Sequence, residues 1–600
     1  MRRSAISIVV GIWAGTLCLL SCGRRPAPEL PAPADAPTVT FKDVGAEAGI
    51  RFKHTNGATG RKLLPETMGA GVIVLDYNAD GKPDLYLVNS SPWPGAAGAP
   101  TGALYRNKGD GTFEDVTVAA GLNVMLYGQG GCAGDFDNDG FPDLFLTAVG
   151  GNRLFRNAGG GRFEDVSDRA GLTSGEWPKV ADAAEFGRWN KPIPFPSSAT
   201  WLDYDGDSRL DLFVCHYLGW SPALDLGIQA VLPGGQRAYV PPTQFPGVHS
   251  KLYRNLGQGK FVDVSAECGV EVSEPTGLNR ALVPIGKSLG VVACDPDGDG
   301  WADLAVANDT VRNFFFRNID DGKGGRKFEE IGLISNVAYA EGRPRGGMGI
   351  DAAELEPGKS TLVIANFSNE PNTLLAVRKT QPVLFQDQAA TWGLTASSRG
   401  PMKFGAFFFD CDLDGRTDLL TVNGHLEPDI AQARPGQIQA EPAQLFRNVG
   451  TASSPDFRLA DAGDLSKPLV GRGSAYLDYN GDGRPDVVVS TNGGAAKLFR
   501  NDSDSGNHWL RLKLVGDGAR SNRDGIGAVV EVTIESETRR FFVSGSRGYL
   551  SQSELVVTVG LGRRTAVDRV AVQWPGLKAN RQTWTGLAID REHRLIQTTN

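Results

Sequence analysis

Six short stretches of this 600-residue chain place acidic or amide side chains at alternate positions and then turn sharply at glycine or serine. Counted from its first acid, each stretch offers side-chain oxygens at positions 1, 3, 5 and 9. The sets are Asp76, Asn78, Asp80 and Asp84; Asp135, Asp137, Asp139 and Asp143; Asp203, Asp205, Asp207 and Asp211; Asp295, Asp297, Asp299 and Asp303; Asp410, Asp412, Asp414 and Asp418; and Asp478, Asn480, Asp482 and Asp486. Three or four carboxylates crowded this closely repel one another unless a cation sits among them. All the donors are hard oxygens, and position 7 adds a backbone carbonyl, which is the ligand chemistry of Ca²⁺ in a flexible shell. No loop has the glutamate at position 12 that an EF-hand uses, and no helical pattern follows, so these are strand-loop-strand sites. Turn chemistry alone explains Asp, Asn and Gly clusters, but a turn does not need four acids, and six copies in register exceed it. The third loop has Gly206 at position 4 and Ser208 at position 6, so a distorted site is expected there. A seventh copy at Asp351 continues Ala352-Ala353-Glu354-Leu355-Glu356 and is expected to hold no ion. The ions would act chiefly as clips that order Gly-rich loops, with ligand bridging as the alternative for one or more.

What positions these loops is a repeat. Short apolar runs flank each one, as in Val72-Ile73-Val74-Leu75 and Leu85-Tyr86-Leu87-Val88. Downstream lies an Arg-Asn marker, as in Leu104-Tyr105-Arg106-Asn107, Leu154-Phe155-Arg156-Asn157 and Leu498-Phe499-Arg500-Asn501. A Phe-x-Asp-Val marker follows, as in Phe113 to Val116 and Phe163 to Val166. Short β-branched and aromatic runs bounded by Gly, Asn and Asp read as antiparallel strands. Four strands per unit and seven units predict an all-β fold, a seven-bladed β-propeller. The chain opens with a spare Phe41-Lys42-Asp43-Val44 and ends the repeats at Asn501 without that strand. Pairing the two would close the ring and leave no long edge.

The ends read differently. Arg2 and Arg3 precede an apolar run, Ile6 to Leu20, and then Leu19-Leu20-Ser21-Cys22, a bacterial lipobox in form. Residues 1–22 are therefore expected to be a lipoprotein signal peptide with Cys22 as the lipidated residue, against an ordinary signal peptide or an uncleaved anchor. Residues 23–39 read as a Pro/Ala-rich tether. Gly23 lacks the aspartate associated with inner-membrane retention, which favours the outer membrane of an envelope. A net charge of -8 argues against nucleic-acid binding, which needs a basic face. Cys132, Cys215, Cys268, Cys294 and Cys411 fit no zinc spacing and are left open between disulfides and buried thiols.

With these residues in hand, 40–505 resembles FG-GAP/VCBS repeat propellers, whose loops in integrin α-subunits carry the same calcium pattern. Residues 506–600 resemble the ASPIC/UnbV domain through Asn507-His508-Trp509-Leu510, Ser521-Asn522-Arg523-Asp524-Gly525, Gly548-Tyr549-Leu550-Ser551-Gln552-Ser553 and Trp574-Pro575-Gly576. That domain follows such propellers in bacterial secreted proteins and in the cartilage acidic protein family. The resemblance implies an extracellular, calcium-binding, interaction-related protein. The 507–575 region reads by itself as a small β-domain, and Arg523, Asp524, Gln552 and Ser553 read as turn and cap residues rather than a ligand site.

Six similar sites suit a scaffold more than one reaction centre. A binding or scaffolding module is expected, its partner an envelope or extracellular protein or a glycan, and its membrane contact an N-terminal lipid. The alternative is a calcium-dependent extracytoplasmic lyase or hydrolase acting on polysaccharide. His54, His216, His249 and His425 are scattered, and no Gly-x-Ser-x-Gly, His-Glu-x-x-His or Cys-x-x-Cys-His motif is present, so no catalytic residue is assigned. Insertions at 172–198 and 217–249, rich in Trp, Tyr and Pro, are the places where specificity or mere padding would sit.

Overall fold

The computed structural model describes residues 39–173, 175, 177–277, 280–577 and 581–598. The export signal, Cys22 and all but the last residue of the tether lie outside the described residues. Pro37–Asn600 forms one compact unit.

Among the described residues, the stretch from Phe41 to Asn501 forms seven four-stranded antiparallel sheets. The first sheet runs Val72–Leu75, Asp84–Leu87, Ala103–Asn107 and Phe113–Asp115, in that order. The acidic loop thus joins the first two strands, the Arg-Asn marker is the third, and the Phe-x-Asp marker is the fourth. The last sheet takes three strands from the end of the repeats, Gly471–Leu477, Asp486–Thr491 and Lys497–Asn501. Its fourth is Phe41–Asp43, paired antiparallel with Phe41 opposite Asn501. The first strands of neighbouring sheets touch in cyclic order, and Gly471–Leu477 meets Val72–Leu75. The arrangement is propeller-like.

Apolar side chains on both faces of each sheet fill the wedges between neighbours. One wedge holds Ile73, Leu144 and Phe155; the closing one holds Val74, Leu85, Ala475 and Leu498. Burying one such side chain stabilises by about 1.5–3 kcal/mol. The five cysteines are buried and free, so they serve as small core residues.

The asparagine of the Arg-Asn marker fastens five of the seven sheets to the one before. Asn157 Nδ2 donates to Tyr77 O at 2.7 Å, Asn255 to Phe136 O at 2.9 Å, and Asn318 to Tyr204 O at 2.9 Å. Asn501 donates to Cys411 O at 2.7 Å, and Asn107 closes the circle onto Tyr479 O at 2.8 Å. The acceptor is always position 2 of the preceding acidic loop.

The C-terminal region adds a three-stranded sheet, in which His508–Val515 runs parallel to Glu592–Ile596, and a four-stranded sheet around Val529–Ile534. Between Glu537–Phe542 and Val557–Gly562 the chain leaves this domain and enters the axis of the ring. There Ser546 donates to Val291 O, Gly548 exchanges backbone bonds with Ile350, and Leu550 N donates to Ser198. Tyr549 packs on Phe404, Val74 N donates to Gln552 O, Ala133 N donates to Gln552 Oε1, and Tyr476 N donates to Ser553. All seven sheets are touched. Gly71 and Gly130 line this axis because a Cβ there would stand 2.3 and 2.5 Å from Leu550 O. The segment read as turn and cap residues is therefore an axial plug. Arg547 within it pairs with buried Asp351 at 2.9 Å.

The seventh unit differs from expectation. Leu75, Cys294 and Phe409 pair with Asp84, Asp303 and Asp418, and in this unit Ala353 pairs with Thr361. Glu354, not Asp351, thus stands at position 1. Asp351 lies inside the strand Gly347–Glu356, which turns tightly into Lys359–Asn366 with no long loop.

The two insertions cap the ring. Trp177, Phe186, Trp220 and Tyr217 join Trp93 and Tyr127 in a stacked aromatic cluster that also reaches Met348, Met402 and Tyr549.

The asparagines of the inter-sheet amide ties are buried. Asn157→Ala is expected to lower unfolding free energy by about 1–3 kcal/mol in urea melts. Arg106→Ala, which loses an exposed pair with Glu114, should cost about 0–1 kcal/mol. Equal costs would show that the amide ties contribute nothing special.

Candidate metal centres

Each acidic loop leaves the first strand, crosses the end of its sheet and returns as the second strand. Two residues per loop take left-handed backbone conformations, at positions 4 and 6. In the second loop these are Asn138 (φ 59°) and Gly140 (φ 98°), and in the fifth they are Leu413 (φ 61°) and Gly415 (φ 91°). Glycine at 6 is preferred because a side chain is strained there. Ser208 takes that position in the third loop with φ 72°.

The position 1 carboxylate gathers the loop's own amides. Asp135 accepts from Asp139 N at 2.9 Å and Gly140 N at 2.7 Å; Asp410 accepts from Asp414 N at 3.1 Å and Gly415 N at 2.8 Å. In the third loop the first of these bonds moves back by one residue, to Gly206 N at 2.8 Å, while Ser208 N keeps the second at 2.9 Å.

The position 9 carboxylate faces inward. Asp143 accepts from Phe136 N at 3.1 Å and from Asn157 N at 2.7 Å, and Asp84, Asp211, Asp418 and Asp486 repeat the pattern. Asp303 accepts from Asn318 N at 2.7 Å. One side chain thus holds the loop, the second strand and the third strand together.

Four loops bring three acids into one cluster: Asp135, Asp137 and Asp143; Asp203, Asp205 and Asp211; Asp295, Asp297 and Asp299; and Asp410, Asp412 and Asp414. Within each, one oxygen per residue lies within 4.8 Å of the others. Oxygens about 2.3–2.6 Å from one ion can be no more than about 5 Å apart, so these spacings fit a single divalent cation. Asp412 and Asp418 also approach the Cys411 thiol. In the first and sixth loops, position 3 is Asn78 or Asn480, whose amide donates to Asp80 at 3.2 Å or Asp482 at 2.9 Å.

The arginine of the Arg-Asn marker follows the same division, which sequence spacing did not reveal. Where position 3 is aspartate it turns into the loop: Arg156 on Asp137 at 2.5 Å, Arg254 on Asp205 at 2.7 Å, Arg317 on Asp297 at 2.7 Å, and Arg447 on Asp412. Where position 3 is asparagine it turns away, Arg106 to Glu114 and Arg500 to Asp502. The acid at position 3 is what attracts it.

The C-terminal domain lies over these loops. Lys513 reaches Asp76 at 2.7 Å, Asp524 accepts from Asp135 N at 2.7 Å, and Arg523 donates to Asn138 O at 2.8 Å. Leu577 N donates to Gly206 O at 3.0 Å, Gly562 N to Leu413 O at 2.9 Å, and Arg511 stands 3.5 Å from Asp478. A cleft of about 130 Å³ between domain and ring is lined by Asp295, Asp410, Arg540 and Arg547.

Burial, with the neighbouring aspartates adding to it, pushes these carboxyls up. Asp84 and Asp135 rise to about 8, Asp203 and Asp418 to about 7, and Asp295 and Asp478 to about 6. Asp143, Asp211, Asp303 and Asp486 shift the same way. A bound cation would reverse the shift by favouring the charged form.

The architecture is that of a propeller-like protein with end-face acidic loops. FG-GAP-like repeat models match residues 76–146 and 135–214, and an ASPIC and UnbV model matches 518–600. The chain therefore carries FG-GAP-like repeats and an ASPIC/UnbV domain. It is similar to cartilage acidic protein 1 of Xenopus tropicalis, 27% identical over 335 residues, covering 54% of this chain and 45% of that protein. The human cartilage acidic protein 1 is 27% identical over 341 residues, covering 54% and 47%. The chain spans about half the length of these curated relatives. Among solved structures, an Agrocybe aegerita lectin that recognises non-reducing terminal N-acetylglucosamine aligns with TM-score 0.35 and 15% identity, covering 72% of this chain and 94% of that one. A Bacillus licheniformis rhamnogalacturonan lyase aligns with TM-score 0.32 and 14% identity, covering 77% and 75%.

A raised native carboxyl pKa makes the folded protein hold protons that the unfolded chain, titrating near 4, has released. Stability from these groups is full below about pH 4 and declines as pH rises to about 8. The metal-free protein is expected to melt at a lower temperature at pH 8 than at pH 5.5, with added divalent cation removing the difference. A metal-free melting temperature that climbs between those pH values would contradict the assignment.

Proposed function

We propose that this protein is an extracytoplasmic, calcium-loaded binding scaffold, anchored by lipid at Cys22, whose seven sheets are the blades of a closed propeller. The observation that carries it is the set of four acid clusters with oxygens within 4.8 Å, each built at the same place in its own sheet. Six hard-oxygen loops of one design, rigidly framed, match the requirements of Ca²⁺ better than those of Mg²⁺, which wants a tighter octahedron and retained water. When bound, the ions neutralise the loop carboxylates. The chain's own residues do the rest: the position 1 acids order the loop, the position 9 acids hold the sheet, and the C-terminal domain covers the result.

A scaffold is favoured over a reaction centre by what fills the axis. The plug occupies it from the loop end, and the aromatic cap closes the other. His54, His216 and His425 are pushed by burial to about 3, 4 and 4, so they stay uncharged and are held as core residues. An extracellular or envelope protein or a glycan is the partner proposed.

Elemental analysis of native protein should find about six calcium ions per chain, and chelation should lower the melting temperature by several degrees. Asp137→Ala should remove about one ion. Native protein with no calcium would refute the reading. Glycan-array binding retained in chelator would mean that the ions are structural clips only. For the anchor, Cys22→Ala should release the protein from the membrane fraction; persistence there would remove the lipid from the proposal.

A further inference from the structure

The second insertion encloses more than packing. Where the cap meets the axis, on the side away from the C-terminal domain, lies a cavity of about 150 Å³. That is the size of a cavity that takes benzene. Its walls are Met68, Met348, Met402, Phe367, Phe404 and Tyr239, with Pro241 and Pro242 of the second insertion. Three methionines give an adaptable surface, and the aromatic faces suit a flat ring. The acidic group set into this wall is Asp309, 7% exposed, whose carboxylate accepts a hydrogen bond from Tyr217 Oη at 2.5 Å.

Its electrostatics restrict the ligand. Lys287, itself buried with its ammonium on Pro242 O at 2.7 Å, is the cation facing Asp309, and Glu370 opposes it. Lys287 offsets part of the Asp309 charge and disfavours a cationic ligand. An anion would meet Asp309. What remains is a spare lone pair on a carboxylate at the edge of an apolar, ring-sized chamber. Pockets that bind small molecules have this make-up, apolar walls with few fixed polar groups. The surrounding cap stacks Trp93, Trp177, Phe186 and Trp220 at centroid distances of 5.3 to 6.0 Å, so loose packing does not explain the space.

We propose that this cavity is a binding site for a neutral, ring-shaped ligand with apolar faces and one hydroxyl or N–H group directed at Asp309. The site is independent of the acidic loops and does not rest on their metal. It also gives the second insertion a role beyond covering the ring.

The test uses the full chain with methyl-labelled methionine and p-cresol, toluene, benzylamine and benzoate as probes. p-Cresol should shift the methyl resonances of Met68, Met348 and Met402 and leave Met125, which is 54% exposed, unmoved. Toluene should bind at least tenfold more weakly, and the charged probes should leave all four methyls in place. Asp309→Asn should cost p-cresol about tenfold in affinity, about 1.4 kcal/mol, and leave toluene unchanged. Met402→Trp should abolish both. If no probe moves the three buried methyls at millimolar concentration, or if Met125 moves with them, the cavity is not a ligand site. If Asp309→Asn affects toluene and p-cresol alike, the polar half of the proposal falls.

Discussion

The structure depends on one inward-facing carboxylate in each of six sheets. Wholly buried, the position 9 aspartate accepts a backbone hydrogen bond from the third strand and, in five of the six loops, a second from position 2 of its own loop; bonds to charged acceptors contribute about 1.5–3 kcal/mol each. Burial of that charge is costly, which is why these groups shift so far upward. A cation among the loop oxygens lets the acid stay ionised and keep both bonds. Loop chemistry and sheet integrity are in this sense one problem.

The same geometry explains why the repeats make a ring. The marker asparagine uses its backbone N–H on its own sheet's aspartate and its side-chain amide on the preceding loop. Five sheets are therefore tied to the preceding neighbour at the loop that the acids order. The Asn107 to Tyr479 bond does for the first and last sheets what the others do in sequence. The strand Phe41–Asp43 completes the closing sheet, so the hydrogen-bonding edge of Lys497–Asn501 is covered.

The C-terminal domain and the ring are not separable beads. Eleven residues from Ser544 to Glu554 lie in the axis, where inner-strand glycines leave just enough room. Arg547 meets Asp351 inside the ring, and Arg511 is shared between Glu554 and Asp478. These buried pairs specify how domain and ring fit together, and removing one partner would strand a charge. In the unit whose loop is lost, Thr361 replaces the position 9 aspartate and its hydroxyl has no hydrogen-bond partner. The link there passes through the plug.

The sequence by itself determined the all-β class, the four-strand unit with its acidic loop, and the spare first strand. Those follow from side-chain type and spacing, and local chemistry repeats wherever the pattern does. It did not reveal that the Arg-Asn marker is two devices, an amide tie to the previous sheet and a guanidinium drawn in by an acid at position 3. Nor did it place Gly548-Tyr549-Leu550 in the axis, correct the register of the Asp351 unit to Glu354, or bring Met68, Tyr217, Asp309 and Met402 around one cavity. The four cavity residues lie between 92 and 334 positions apart. Only closure of the ring brings them together, because proximity there is set by how sheets pack around an axis and not by any pattern along the chain.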